Sequence, residues 1–341
     1  MKAELVNGLM LLLTIVASAV CATLPGEAAP GRTRPRAVAD APVQPDTTDV
    51  VDARGVAVPV AAYKRIVSLN TISDRVLLEL VAPERLVAIT GYVKDNHPEA
   101  WRFGQRDAVQ SSDQIEAVIS LAPDLVIISR FANESYMERL REVGIQVFDL
   151  GEMLGVETTR ANIRALGALL MVGDRAERLE KSLVRSLWAL EAAVPAAERA
   201  PGMYLAVYGD QLSGGSVGTS YADVLHYGGV RDLAGEAGHE GWPHYDLEQI
   251  MSLDPPLIVT SAGMAKAIRS HSLLQDVRAC RPGGRIIELP GPYLGSPGLG
   301  LVEAARLLQE AVHPGRAPVD LPAPTTVSPS VPVNLPMDAN R

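Results

Sequence analysis

The chain has 341 residues, 47% of them apolar and 4% aromatic, with a formal net charge of −9 and two cysteines, Cys21 and Cys280. That length and apolar share suit about two domains with substantial cores. The acidic balance, without a basic block or basic-aromatic interleaving, argues against a nucleic-acid partner, and two cysteines supply no disulfide framework.

Residues 1–22 read as an export signal: Lys2 precedes an apolar run from Leu5 to Val20, followed by small residues. Cleavage after Ala22 fits the small-residue rule. Cys21 offers a lipid-attachment point, although Val20 before it is a poor lipobox residue, and the run is marginal in length for an uncleaved membrane anchor. Residues 23–48 have the Pro/Ala-rich composition of a disordered tether, and 317–341 read as a disordered tail.

The first lobe, 49–172, opens with alternation around Gly55 that predicts a small hairpin over Val50–Val60. Strands follow at 66–69, 86–90, 125–129 and 147–150, with a helix capped by Ser73 running to Ala82 and another from about Glu134 to Val143. Residues 173–199 carry the longest helical pattern: Asp174 as N-cap, then Leu179, Leu183, Leu187, Leu190 and Val194 at helical spacing. A helix over 175–198 would be roughly 36 Å long, enough to act as a stiff spine. Its weak points are at its ends, Gly173 and Pro201-Gly202. The second lobe, 200–316, repeats the grammar with strands at 204–208, 257–261 and 285–289, a Gly-rich turn at 214–218, and helices near 221–227 and 301–311. Short apolar strands joined by amphipathic helices imply parallel sheets covered on both faces. The expected fold is therefore α/β, two Rossmann-like lobes with parallel sheets joined by one long rigid helix.

The two lobes share a phrase. DQIEAVISLAPDLVIIS (113–129) aligns without a gap on YDLEQIMSLDPPLIVTS (245–261), with Glu116/Glu248, Ser120/Ser252, Leu121/Leu253, Pro123/Pro255, Leu125/Leu257 and Ser129/Ser261 identical. Each copy is a short helix broken at a proline and feeding a strand, and each places a Glu in the first helical turn. A structural account exists: an acidic first turn suits the helix dipole, and Asp113 with Glu116 could form a capping box. In the second copy Tyr245 stands at the capping position, where it cannot cap well.

These segments resemble a known family, the periplasmic binding proteins of ABC importers for cobalamin, ferric siderophores and haem. The resemblance covers most of residues 50–314. It rests on DARGVAVPVAAYKRIVSLNTISDRVLLELV, EAVISLAPDLVIIS, SGGSVGTSYADVLHYGGV and GWPHYDLEQIMSLDPPLIV. It implies that Glu116 and Glu248 salt-bridge to arginines on the two subunits of an inner-membrane permease dimer, and that Trp242, in Trp242-Pro243, lines the pocket. Two ligand-facing loops depart from the family pattern. Asn96-His97-Pro98-Glu99-Ala100 stands where many members have Tyr-Pro-Pro-Glu-Ala, and Gln110-Ser111-Ser112 where many have Gly-Gly.

Ligands of two-lobed α/β proteins sit at the carboxyl ends of the strands. That rule makes Tyr92, His97, Trp101, Arg130, Tyr208 and Trp242 candidate walls, and flat aromatics suit a large conjugated ligand. Tyr92, His97, Tyr208, His244 and Tyr245 are candidate axial ligands if the cargo is haem, with no spacing to single one out. The six histidines form no HExxH or Cys/His cluster, so no metal or cofactor of the protein's own is expected. Gly214-Gly215-Ser216-Val217-Gly218 satisfies G-x-S-x-G, with Asp254 and His271 following in chain order, so an exported serine hydrolase is the competing class. The intervening loop is wrong for a nucleophile elbow, and a ligand-contacting turn explains the glycines with fewer assumptions. The resulting expectation is an exported, monomeric, non-enzymatic protein that captures a bulky metal chelate and delivers it to an ABC importer. A corrinoid ranks first, then a ferric siderophore, then haem; an orphan binding protein serving a sensor is the other alternative.

Overall fold

Helices and strands alternate along the chain because apolar runs of three to five residues are repeatedly stopped by proline, glycine and capping side chains. The computed structural model describes residues 49–104, 106–110, 114–129, 134–294 and 298–321. The leader, Cys21, the tether, Asp113, Arg130 and tail residues 322–341 lie outside the described residues. Among the described residues no helix is long and apolar enough to cross a membrane.

The first lobe begins with β1 (Asp49–Val51) and β2 (Ala57–Pro59), an antiparallel hairpin. The Asp52 carboxylate accepts from the Arg54 and Val56 amides, both at 2.9 Å, and Gly55 (φ +81°) turns the chain. Next come β3 (Ile66–Ser68), α1 (Thr71–Leu80), β4 (Leu86–Thr90), α2 (Gly91–Asn96), β5 (Asp107–Val109), α3 (Ile115–Ser120), β6 (Leu125–Ile128), α4 (Glu134–Glu142) and β7 (Gln146–Asp149). The strands form one parallel sheet in the order β5-β4-β3-β6-β7. All four residues of β6 are buried, as a strand covered on both faces requires. Asn70, not Ser73, caps α1: its side chain accepts from the Ile72 and Ser73 amides at 2.8 and 3.2 Å.

Two helices lead out of this lobe: α5 (Val156–Leu169) and α6 (Gly173–Ala193). The spine is real but shorter than 175–198. It ends at Ala193 because Val194 precedes Pro195 and is held extended, at φ −127° and ψ 98°; residues Ala196–Glu198 form a separate 3-10 turn. Asp174 sits in the first turn and makes no side-chain cap. Leu179, Leu183, Leu187 and Leu190 are buried along one face, as their spacing predicts.

The second lobe contains β8 (Ala200–Tyr204), β9 (Ala206–Tyr208), β10 (Gln211–Ser213), α7 (Ser220–Tyr227), β11 (Val230–Asp232), α8 (Leu233–Glu236), β12 (His244–Tyr245), α9 (Leu247–Leu253), β13 (Leu257–Ser261), α10 (Ala265–Ser270), β14 (Arg285–Leu289), α11 (Gly291–Leu294) and α12 (Gly300–Val312). Four strands make a parallel sheet, β11-β8-β13-β14. The other three form an antiparallel flap, β12-β10-β9. The run 204–208 thus divides between the two sheets. Pro201-Gly202 is no hinge, because it lies inside β8, paired with Arg231 and Asp232; a Cβ at Gly202 would meet the Leu257 carbonyl oxygen at 3.0 Å.

The repeat survives in three dimensions. Ala122 (φ +46°) and Asp254 (φ +35°) both leave their helices in the left-handed region, immediately before Pro123 and Pro255, and the chain then enters β6 and β13. Each lobe's strand order reverses at the switch between its first strand and the repeat strand: β3/β6 in one, β8/β13 in the other. The lobes meet at several places, among them the Val156 amide donating to Asp223 Oδ2 at 2.8 Å. The spine α6 packs against α1 on one side and α7 and α12 on the other, within a single apolar core. Separately, Gly298 lies so close to Ile72 that a Cβ there would come within 2.6 Å of it.

A cleft lined by tyrosines from both lobes

Tyr204 ends β8 and Tyr221 opens α7, so the second lobe's switch point brings two phenol rings together. They stack with centroids 4.0 Å apart and planes inclined by 15°, an arrangement worth about 0.5–1.5 kcal/mol beyond area burial. Gly215 makes room: a Cβ there would fall 2.3 Å from the Tyr221 ring. Thr219 caps α7 by accepting from the Ala222 amide at 3.4 Å, which holds Tyr221 at the helix start. Burial pushes both phenols above the usual range, so both stay neutral.

Tyr208 and Tyr92 lie close enough to this stack to raise the Tyr221 pKa further. Tyr92 comes from the other lobe, and its hydroxyl stands 3.8 Å from where a side chain would begin at Gly291. Tyr92 from the first lobe and Tyr208 from the second thus lie within electrostatic range of the Tyr204–Tyr221 stack. Tyr92 is 50% exposed, Tyr208 58% and Trp242 53%, so all three present ring surface to solvent. Gly209 (φ +62°) is the first residue of the two-residue β9–β10 turn, which brings Tyr208 to the edge of the flap. Trp242 precedes β12 of the same flap.

The remaining expected wall residues are placed differently. Trp101 is 77% exposed on a 3-10 turn. His97 is buried: its Nδ1 accepts from the Glu99 amide at 3.0 Å, and its ring meets Tyr293 edge-on at 5.3 Å. Burial, with Arg75 and Arg102 nearby, lowers its pKa to about 4. The strand-end rule identified its loop, but the side chain turns inward to join the lobes and offers no ring edge to a bulky ligand. Tyr245 is also buried, under Gly214, whereas His244 bonds with Gln211 and Ser213 on the exposed flap. Tyr204 and Tyr221 were not singled out from sequence. A signal was there for Tyr204, in tyrosine at a strand end.

Glu116 and Glu248 each occupy the second position of a short helix, α3 or α9, and both are exposed. Glu248 caps nothing: Asp246 caps α9 and Gln249 completes the capping box, with bonds of 2.7 and 3.0 Å. Gln114 precedes α3 and makes no side-chain cap. Glu116 meets Arg139 at 3.3 Å, an exposed pair worth about 0–1 kcal/mol.

Ser216 is fully buried and its hydroxyl donates to Asp232 at 2.6 Å, while Asp254 is committed to Arg278 at 2.7 Å. The G-x-S-x-G glycines thus bracket a structural serine rather than a nucleophile elbow, which removes the basis for a hydrolase.

A family model described as periplasmic binding protein matches residues 66–293. A cobalamin-binding protein of Halobacterium salinarum (strain ATCC 29341 / DSM 671 / R1) is 24% identical over 311 residues, covering 88% of this chain and 84% of the relative. A periplasmic heme binding protein from Pseudomonas aeruginosa superposes with a TM-score of 0.62 at 26% identity, covering 76% of this chain and 95% of that one. A possible iron-binding (periplasmic solute-binding) protein from Staphylococcus epidermidis ATCC 12228 superposes with a TM-score of 0.63 at 18% identity, covering 74% and 100%.

Proposed function

We propose, because the chain belongs to the periplasmic binding protein family, that it captures a bulky metal chelate between its lobes and hands it to an ABC importer. It is a binding protein and not an enzyme, as its family and relatives are. The observation that supports the chelate reading is the exposed aromatic surface of Tyr92 in one lobe and of Tyr208 and Trp242 on the flap of the other, beside the Tyr204–Tyr221 stack. Flat rings from both lobes bury a planar macrocycle well. A corrinoid comes first, because the cobalamin-binding relative matches over most of both chains. A ferric siderophore and haem follow; for haem, Tyr92, Tyr208 and His244 are the candidate axial ligands left exposed.

Glu116 and Glu248 support delivery. They stand at equivalent, exposed positions on the two lobes, Glu248 free of capping duty, and so suit a permease dimer that presents one basic residue to each. The protein works as an exported monomer, directed by the apolar run Leu5–Val20, with Cys21 as the point of lipid attachment if it is retained. Purifying the full chain and recording the visible spectrum and mass of what co-purifies tests the ligand class. A corrin band with a matching mass is expected; a colourless, metal-free ligand contradicts the chelate reading.

A further inference from the structure

Arg85 precedes β4 and Tyr92 follows it, so the two stand at opposite ends of one strand. At the Arg85 end, away from the tyrosine cleft, the first turn of the spine meets the turn that leads into β4. A cavity of about 590 Å³ opens between them, and its lining includes Arg85, Arg175 and Arg178. Three guanidinium groups thus share one cavity, and among the described residues none of them has an ion pair. On the same spine, by contrast, Glu180 takes both Arg160 and Arg164, at 2.9 and 2.6 Å.

The three heads keep donors free. Arg85 Nε and Nη2 donate to the Tyr63 and Leu170 carbonyls at 2.6 and 3.4 Å, and Arg175 Nη1 donates to the Leu80 carbonyl at 3.1 Å. Arg85 Nη1, Arg175 Nε and Nη2 and the whole Arg178 head have no partner among the described residues, and all of them reach solvent. Gathering like charges has a cost: burial, and then the neighbouring Arg175, push the Arg85 pKa below its ordinary value, although Asp124 and Glu84 pull the other way. Asp174 also lines the cavity and bonds to none of the three, so two positive charges stay unanswered. The spine begins without a side-chain cap, and the positive end of its dipole adds to the same field.

The charge and the spread of donors select the ligand. A carboxylate brings one charge and two oxygens, which a single guanidinium fork satisfies. A phosphate group brings about 1.5–2 negative charges and three acceptor oxygens, enough to engage several forks at once. We propose that this cavity is an anion site, separate from the tyrosine cleft, that takes a phosphate group between Arg85, Arg175 and Arg178. Because it lies at the amino end of the strands, it can fill while the cleft at their carboxyl ends holds or releases its own ligand. Free phosphate and the headgroup of an anionic lipid offer the same chemistry, and Met171, 66% exposed, gives the rim an apolar part.

The test is a titration of the full chain with sodium phosphate, with sodium chloride at matched ionic strength as control, followed through the arginine Nε–Hε signals by NMR. Saturable shifts at Arg85, Arg175 and Arg178 are expected. Arg178→Gln should weaken phosphate binding at least about threefold, because one charged fork is lost; Arg281→Gln, at an exposed arginine of the second lobe, should leave it unchanged. Arg178 bonds to nothing in the fold, so its variant reads the site without a folding defect. Co-sedimentation with phosphatidylglycerol and phosphatidylcholine vesicles separates the sources. Binding to the anionic vesicles alone, lost in Arg178→Gln, assigns a lipid headgroup; phosphate binding without vesicle binding assigns a soluble phosphate. Shifts that chloride reproduces, no shifts at all, or equal phosphate affinity in the wild type and Arg178→Gln each overturns the proposal.

Discussion

Glu248 contributes little to the stability of its own helix, since Asp246 does the capping in α9, and the Glu116–Arg139 pair is solvent-exposed. Replacing both by Ala should leave melting temperature and ligand affinity nearly unchanged while transport falls sharply, because each change leaves a permease cation without its partner. Normal transport by the double variant in a reconstituted importer would end the docking assignment. Asp74 behaves differently. It is fully buried, bonded to the Thr90 amide and hydroxyl at 3.1 and 2.5 Å, and burial raises its pKa from 3.8 to about 7. The folded state thus holds a proton that the unfolded chain has lost over roughly pH 4–7. Its stabilising contribution is complete below pH 3.8 and disappears as pH rises through about 7. Urea unfolding from pH 4 to 8 should show the wild type losing stability relative to Asp74→Asn across that window; parallel profiles would contradict the burial argument. Neither Asp74 nor His97 could be placed from sequence. The strand-end rule selects loops and helix starts, but which way a side chain points depends on packing with the other lobe, as Tyr293 against His97 illustrates.

At the scale of elements, regular spacing was what made the fold readable. The hairpin and the leucine stripe of the spine follow from periods of two and 3.6, the repeat strands from unbroken apolar runs, and each lies where its pattern places it. Helix α5 was missed because Gly155, Gly167 and the Thr158-Thr159 pair weaken helical propensity along it. Gly167 has a packing reason: a Cβ there would stand 2.3 Å from the Ala176 Cβ of the spine. Gly167→Val should force α5 and α6 apart and cost about 1–3 kcal/mol, measurable by chemical denaturation. A neutral substitution would mean the two helices are not held at this crossing. The flap β9-β10-β12 was also illegible, since its strands are two or three residues long and the run 204–208 gives no sign of the break at Leu205. That break matters for the site, because it separates buried Tyr204 from exposed Tyr208.

As a whole, the molecule has two lobes tied by a rigid spine and by further contacts at Gly298, Tyr293 and Asp223, with a continuous apolar core beneath both. The weak point expected at Pro201-Gly202 is a paired strand, which leaves little backbone to absorb rotation. Spin labels, one per lobe, should therefore report a ligand-induced distance change of only about 1–2 Å, the scale of gentle helix bending; shortening by several ångströms would show that the spine is not one stiff element. The central claim is that a bulky chelate binds between the tyrosine group and the Trp242 flap. Calorimetric titration of the full chain and of Trp242→Ala with cobinamide, cobalamin, haemin and ferrichrome tests it most directly. One of the four, with the corrinoids foremost, should bind the wild type tightly and the variant about 1–3 kcal/mol more weakly. No binding by any of them, or equal binding by wild type and variant, would contradict it.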